Sequence, residues 1–472
     1  MSSTRTSEQT VNRNFLKLGS GEALTRLVTF LATIYIARVL GPESYGIVGF
    51  ALAVTLYFSW FTDFGAELLA PRELARDPER MRDLAPSLVA ARTLIAIVCA
   101  IAIAAFSLLF LPEPDATVFA VCGLTLLPVG LGIRWVFYGM EKMGSVAIAR
   151  TLGELLRLAL IVLLVSDAAD VARVPLAQFI GEMVAALLLL RWARRFGFRL
   201  SWHIDWQQIF SVFHRARSLM LTALLGLVIY NADLVILRIF RSVDEVGFYL
   251  AAYTLIVLLA NLGNAYCYSL LPTMSRLDMS EGRAQSLYDT AMAHMFAFVL
   301  PVAVGGCWLA QPIIQLAFGD SFEQSTLLLQ ILIWCVPFLL TWSVFRSALI
   351  VRGQETRIFR ISAWAAVLNI ALNLIVIPVW GMLGAAVTTV VIEALRMFIA
   401  YGYVRNAGYH GTGLHRFWRS IVATVVMSVA LYLLPGDELW IGLVTGIVVF
   451  VLALSLTGGV RFRRNGLPQL TI

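Results

Sequence analysis

Isolated ionisable and amide side chains stand inside long apolar stretches of this chain, and their types sort into two kinds of chemistry. Glu22, Asp63, Glu182, Asp233 and Glu393 are carboxylates within such runs. A carboxyl in low dielectric can carry a proton, which makes these five the candidates for ion coupling. Arg26, Arg134 and Arg346 offer a planar, multi-donor fork that stays charged. With the amides Asn231 and Asn264 they are the candidates for lining a substrate cavity. An ionisable residue within a membrane span is costly to insert, so each is a functional candidate by default.

Structural readings stand beside these. Glu22 and Arg26 are one turn apart and either bridge each other or line a cavity separately. Asp63 and Glu67 share a helix face. Arg134 and Arg346 lie near span ends, where they either snorkel or face inward. Asp233 has no same-face partner within four residues, so it takes one from another helix or protonates. Arg396 is within one turn of Glu393, whereas Glu182 lacks a local partner. Arg92, Arg150 and Arg157 read as span-end charges, with Glu154 spaced to neutralise Arg150 or Arg157. His294 reads as a satisfied buried histidine. Asn369 and Asn373 read as hydrogen-bonding groups between helices.

The elements that must position these groups are membrane helices. The chain is 60% hydrophobic and 14% charged, with a mean hydropathy of +0.82. That composition excludes a soluble globular enzyme. Apolar runs near 15–40, 44–69, 86–111, 116–140, 145–167, 174–195, 214–240, 246–271, 287–310, 323–351, 357–379, 383–404, 416–434 and 439–459 are each of spanning length. They predict an all-α integral membrane protein of about fourteen helices. The first twenty residues are polar, which predicts no cleaved signal peptide. Arginines cluster at 72–82, 191–199, 276–283, 352–360, 405–419 and 461–464, and none lies near 112–116, 311–322 or 435–439. Arginine-rich connections therefore alternate with uncharged or acidic ones, which predicts both termini in the cytoplasm. The net charge of +7 is thus topology, with a secondary affinity for membrane lipids, and no nucleic-acid partner is implied. Cys99, Cys122, Cys267, Cys307 and Cys335 lie in apolar runs at no metal-like spacing, so neither a metal nor another cofactor is expected.

The plan is written twice. Twenty-five residues separate Gly46 from Pro71, and twenty-five separate Gly247 from Pro272, in similar surroundings. Pro128 and Pro337 punctuate the fourth and tenth spans, and Asn264 falls where the first copy has Asp63. Glu182 and Glu393 stand in corresponding sixth and twelfth spans. The copies are parallel repeats, predicting two pseudo-symmetric six-helix lobes at 1–199 and 200–405, then a helical pair and tail at 406–472. No connection is long enough for a sizeable soluble catalytic domain, and the outward connections are short and nearly free of basic residues. That disfavours the competing reading of a membrane-embedded glycan polymerase, ligase or glycosyltransferase, and the chain is not expected to be an enzyme.

Several segments resemble one family. Ala37-Arg38-Val39-Leu40-Gly41-Pro42-Glu43-Ser44-Tyr45-Gly46 resembles its first loop, and Asp63-Phe64-Gly65 with Pro71-Arg72-Glu73 the end of its second span. Trp135-Val136-Phe137-Tyr138-Gly139-Met140-Glu141-Lys142 resembles the aromatic-Gly-Leu-Glu signature after its fourth span. Asn231-Ala232-Asp233 with Val246-Gly247-Phe248-Tyr249, and Gly381-Met382-Leu383-Gly384-Ala385-Ala386, resemble later loops. The family is that of polysaccharide transporters, the Wzx-type flippases of O-antigen and exopolysaccharide precursors. They belong to the superfamily of multidrug and oligosaccharidyl-lipid exporters. The resemblance implies a flippase in a bacterial inner membrane, moving a lipid-linked oligosaccharide on a polyprenyl diphosphate carrier to the outer leaflet by alternating access. It also implies polysaccharide polymerase machinery as a partner. Arg26, Arg134 and Arg346 would then meet the diphosphate. A lipid II flippase or a cation-coupled multidrug exporter of the same superfamily is the alternative. Ala32-Thr33 stand where a lipid II flippase is expected to carry an Arg-Asp pair, and a drug exporter is expected to stop near twelve spans.

Overall fold

A backbone crossing hydrocarbon must satisfy its own N–H and C=O groups, and the α-helix does so within one segment. The computed structural model folds nearly every apolar run accordingly. It describes residues 2–67, 70–71, 74, 78–196, 198, 204–275, 282–410, 417–434, 439–462 and 468–470. The first helix, Ser2–Asp63, carries the first two spans on either side of Gly41, whose φ of 71° interrupts the helix just before Pro42. Spans three to seven are Pro78–Phe110, Asp115–Gly139 in three pieces, Met143–Leu164, Arg173–Ala193 and Trp206–Phe240. Spans eight to ten are Val243–Ser275, Arg283–Trp308 and Ser325–Val351. Glu355–Asn406 holds the eleventh and twelfth about Gly381, and Trp418–Leu433 and Leu439–Leu456 complete the set. A short antiparallel pair, Val460–Phe462 with Pro468–Leu470, follows. The all-α plan of about fourteen spans is the observed one. Large apolar side chains such as Leu163 and Leu456 point outward, 78% and 88% exposed, as a lipid-facing surface requires.

Contacts divide the chain into two compact units, Met1–Leu227 and Val228–Ile472. In the first, spans one and five run parallel, joined by Thr25 to Thr151 at 3.2 Å, Thr29 to Glu154 at 3.1 Å and Tyr35 Oη to the Val165 carbonyl at 3.0 Å. Spans two and four are also parallel, from the Phe50–Phe119 ring contact at one end to Glu67 and Arg134 at the other. Between them span three runs antiparallel to span four, with Gly130 against Ala96 and Gly123 against Ala100. The end bearing the arginine-rich connections is packed by an apolar core around Leu88, Ile133, Phe137 and the fully buried Trp135.

The second unit repeats the parallel pairing: span eight meets the turn entering span ten through the Phe248–Phe322 rings at one end, and span ten itself through Asn264 to Ser343 at the other. The last two spans pack on its ninth. Trp308 Nε1 donates to Ser428 at 2.9 Å, and the Phe296 and Phe417 rings stack 4.1 Å apart. An apolar cavity of about 550 Å³ opens among spans eight, nine, ten, thirteen and fourteen.

Pro128 and Pro337 act one turn before themselves. A proline has no N–H for the carbonyl four residues back and its ring clashes with that carbonyl. The helix accordingly ends at Leu124 before Pro128, and at Leu332 before Pro337. The copies then diverge. Beyond Pro337 the helix Cys335–Val351 is continuous, whereas span four breaks again at Gly132–Ile133.

Candidate functional site

Within the first unit, a cavity of about 250 Å³ is walled by Arg134, Arg150, Glu154, Arg157 and Glu182. Spans two, four, five and six supply the walls, toward the arginine-rich end. Two of its charges are paired across or along helices. Arg134 places Nε and Nη2 2.9 and 2.7 Å from Glu67 Oε1, and Arg157 Nη1 lies 3.1 Å from Glu154 Oε2. Glu154 also accepts from Thr29, and Glu182 accepts from Gln178 Nε2 at 3.0 Å. Arg134 and Glu67 stay about one-third exposed, so this pair can be exchanged for a ligand without unpacking a core. Gly153 and Gly181 also line the cavity, where spans five and six touch backbone to backbone. A Cβ at Gly153 would stand 2.6 Å from the Gly181 carbonyl oxygen, so only glycine allows this approach.

Not every candidate residue reaches this cavity. Arg134 and Glu182 line it; Arg26 is exposed elsewhere on span one. The Glu22 side chain lies outside the described residues. Asp63 does not line the cavity; its Oδ1 lies 2.8 Å from Arg92 Nη2. Arg92 is fully buried and donates to the Gly132 and Val129 carbonyls, both at 2.8 Å. Its reading as a span-end charge is therefore corrected: the guanidinium is buried against the two carbonyls at the break in span four, of which Val129 also accepts the Gly132 N–H at 3.2 Å. Glu182 has a local partner after all, the amide of Gln178 one turn back.

The second unit holds the remaining candidates. Asp233 is buried and takes its side-chain partners from other helices. The Tyr249 hydroxyl donates to Oδ2, Thr389 Oγ1 lies 3.5 Å from the same oxygen, and the Leu234 N–H reaches Oδ1 at 2.9 Å. Glu393 and Arg396 form a closed ion pair at 2.6 Å with both side chains 3% exposed, and the guanidinium lies over the Trp342 ring. Asn264 accepts from Ser343 at 2.7 Å and from Arg346 Nη2 at 3.5 Å, so this amide and arginine share one polar cluster. Asn231 is half-buried on the same helix as Asp233. His294 is satisfied by the Tyr266 hydroxyl at 2.7 Å. Asn369 and Asn373 are buried and bond to each other at 3.2 Å along their own helix.

Sequence reasoning passed over Arg150, Glu154 and Arg157 as cavity groups, and Glu67 as the partner of Arg134. The Glu154–Arg157 spacing was visible. Their common wall was not, because it depends on how spans four, five and six pack. The paired arginines can grip an anion, and the carboxylates around them can exchange partners with it.

The chain is similar to known proteins. Residues 11–278 match the family model described as "Polysaccharide biosynthesis protein". The chain is 24% identical over 420 residues to the "Putative O-antigen transporter" of Escherichia coli (strain K12), covering 85% of this chain and 98% of that one. Among solved structures it resembles "Lipid II flippase MurJ, inward closed conformation" with a TM-score of 0.79 and 13% identity, over 93% of this chain and 98% of that one. An inward-facing multidrug resistance MATE family transporter matches with a TM-score of 0.58 and 14% identity, over 81% and 95% of the two chains. These two establish a shared fold. The family match extends over more than half of the sequence and takes in the whole cavity, so the chain belongs to the polysaccharide biosynthesis protein family.

Proposed function

We propose that this protein is a flippase carrying a lipid-linked oligosaccharide across the bacterial inner membrane for surface polysaccharide synthesis. Its substrate is an oligosaccharide repeat unit on a polyprenyl diphosphate, moved from the cytoplasmic to the outer leaflet by alternating access. The observation that carries this reading is the arginine-walled cavity in a membrane chain of this family. The positive-inside bias puts that end of the first unit, and both termini, on the cytoplasmic side. A diphosphate arriving there meets Arg134, Arg150 and Arg157 and displaces Glu67 and Glu154 from the two arginines they hold. Charge-assisted bonds to a guanidinium fork are short and strong, and they replace the ion pairs that are lost. No covalent bond is made or broken. The chain itself acts as carrier, and polymerisation belongs to separate machinery.

Ion coupling falls to carboxyls that can change state during transport. Glu182 on the cavity wall and Asp233, held by two hydroxyls, are the best placed. Arg346 with Asn264 offers a second anion contact in the other unit. A multidrug exporter is expected to favour acidic, apolar cavities, and three arginines on the cavity wall argue against that reading.

The test is deletion of the gene with analysis of lipid-linked intermediates. Accumulation of a complete repeat unit on the cytoplasmic face, relieved by the wild-type chain, is expected. A deletion strain with normal surface polysaccharide and no second flippase gene would contradict the proposal.

A further inference from the structure

Two neighbouring helices of the first unit stop at the same depth. Span two ends its regular helix at Asp63, where Phe64 and Gly65 take φ values of 32° and 79°. Span four is interrupted at Gly132 and Ile133, with ψ of 124° at the glycine. Such interruptions free backbone carbonyls from the i+4 ladder, and these are expensive to leave unpaired in a dry interior; here the Val129 carbonyl keeps only the Gly132 N–H at 3.2 Å. One side chain attends to both. Arg92, fully buried on span three, donates Nη1 to the Gly132 carbonyl and Nη2 to the Val129 carbonyl, and its charge meets Asp63 at 2.8 Å. Immediately beyond the two breaks, Glu67 and Arg134 join the continuing segments. Arg134 is the first residue of the short helix Arg134–Gly139, so the position of its guanidinium on the cavity wall depends on how the break is held.

We infer that Arg92 is a positioning residue for anion capture: by tying the two helix breaks together, it sets where Arg134 presents its guanidinium. It touches no substrate itself, and none of the lining of the cavity comes from it. The task needs arginine. Lysine keeps the charge beside Asp63, but its single ammonium head does not reproduce the planar fork that meets two carbonyls and a carboxylate together. Among its described residues the second unit shows no such arrangement: there span ten continues unbroken after its proline, and spans eight and nine meet through Tyr266 and His294. This inference rests on the proposed diphosphate reading of the cavity.

The experiment measures farnesyl diphosphate binding to the purified full-length protein in nanodiscs, with thermal unfolding recorded on the same samples. The set is wild type, Arg134→Gln, Arg92→Lys and the double variant. Arg134→Gln should weaken binding tenfold or more. Arg92→Lys should weaken it at least fivefold per folded molecule, and the double variant should bind no worse than Arg134→Gln alone, since one residue acts through the other. Wild-type affinity in folded Arg92→Lys, or losses that multiply in the double variant, overturns the positioning role. If Arg134→Gln binds as wild type, or wild type does not bind, the diphosphate reading itself fails. Should Arg92→Lys not fold, Asp63→Asn takes its place: it removes one tie and leaves the carbonyl contacts, and unchanged binding there also overturns the inference.

Discussion

Glu393 and Arg396 give a prediction whose size follows from burial. The two side chains are 2.6 Å apart, each 3% exposed, and Trp342 covers the guanidinium. Glu393→Gln removes the carboxylate that this buried arginine pairs with. Removing one partner of a buried pair costs about 3–5 kcal/mol, whereas replacing both with apolar groups of similar volume is near neutral. At about 2–4 °C per kcal/mol for a unit of this size, Glu393→Gln should unfold about 6–20 °C below wild type. The double replacement Glu393→Leu with Arg396→Met should recover most of that loss. Thermal unfolding of the purified protein in detergent, followed by tryptophan fluorescence, reads both. A single variant within 2 °C of wild type, or a double variant no better than the single, would refute a tightly coupled structural pair. It would return Glu393 to the set of carboxyls free to change state.

Other perturbations test separate contacts. Gly153→Leu drives a side chain into the Gly181 carbonyl 2.6 Å from its Cβ, and should lower stability by about 1–3 kcal/mol or more in the same unfolding assay. Tyr249→Phe removes the hydroxyl donor to buried Asp233 and should destabilise by about 1–3 kcal/mol. Adding Asp233→Asn to that variant should cost less than either change predicts alone; full additivity in a double-mutant cycle would show that the two groups do not act together. Pro337→Ala should leave the fold intact, because the break at Ile333–Trp334 sits between well-packed segments; measured stability within about 1 kcal/mol of wild type is expected.

Much of this was legible in the residues. The spans follow from hydropathy alone, and the paired Gly–Pro spacing announced a repeat that the Phe50–Phe119 and Phe248–Phe322 contacts express within each unit. Glu154 and Arg157 could be paired by helix spacing, and so could Gln178 and Glu182, although only the former was read that way. Arg92 was misread for a physical reason. Its distance from the span end suggested an interfacial charge, but what determines its burial is a break in another helix, forty positions away at Gly132. Glu67 and Arg134, and Asp233 with Tyr249 and Thr389, likewise meet only through packing. Periodicity reports which face of a helix is apolar; it does not report which polar groups from different helices share that interior.

The central claim is tested most directly by reconstitution. The lipid-linked oligosaccharide that accumulates in a deletion strain is placed in proteoliposomes, and its exposure to a membrane-impermeant glycosidase is followed over time. Wild-type protein should transfer it between leaflets well above protein-free vesicles, and Arg134→Gln with Arg157→Gln should slow transfer by about tenfold or more, as expected for lost charge-assisted bonds. Transfer no faster than in protein-free vesicles, or an unchanged rate in the double variant, would contradict the account.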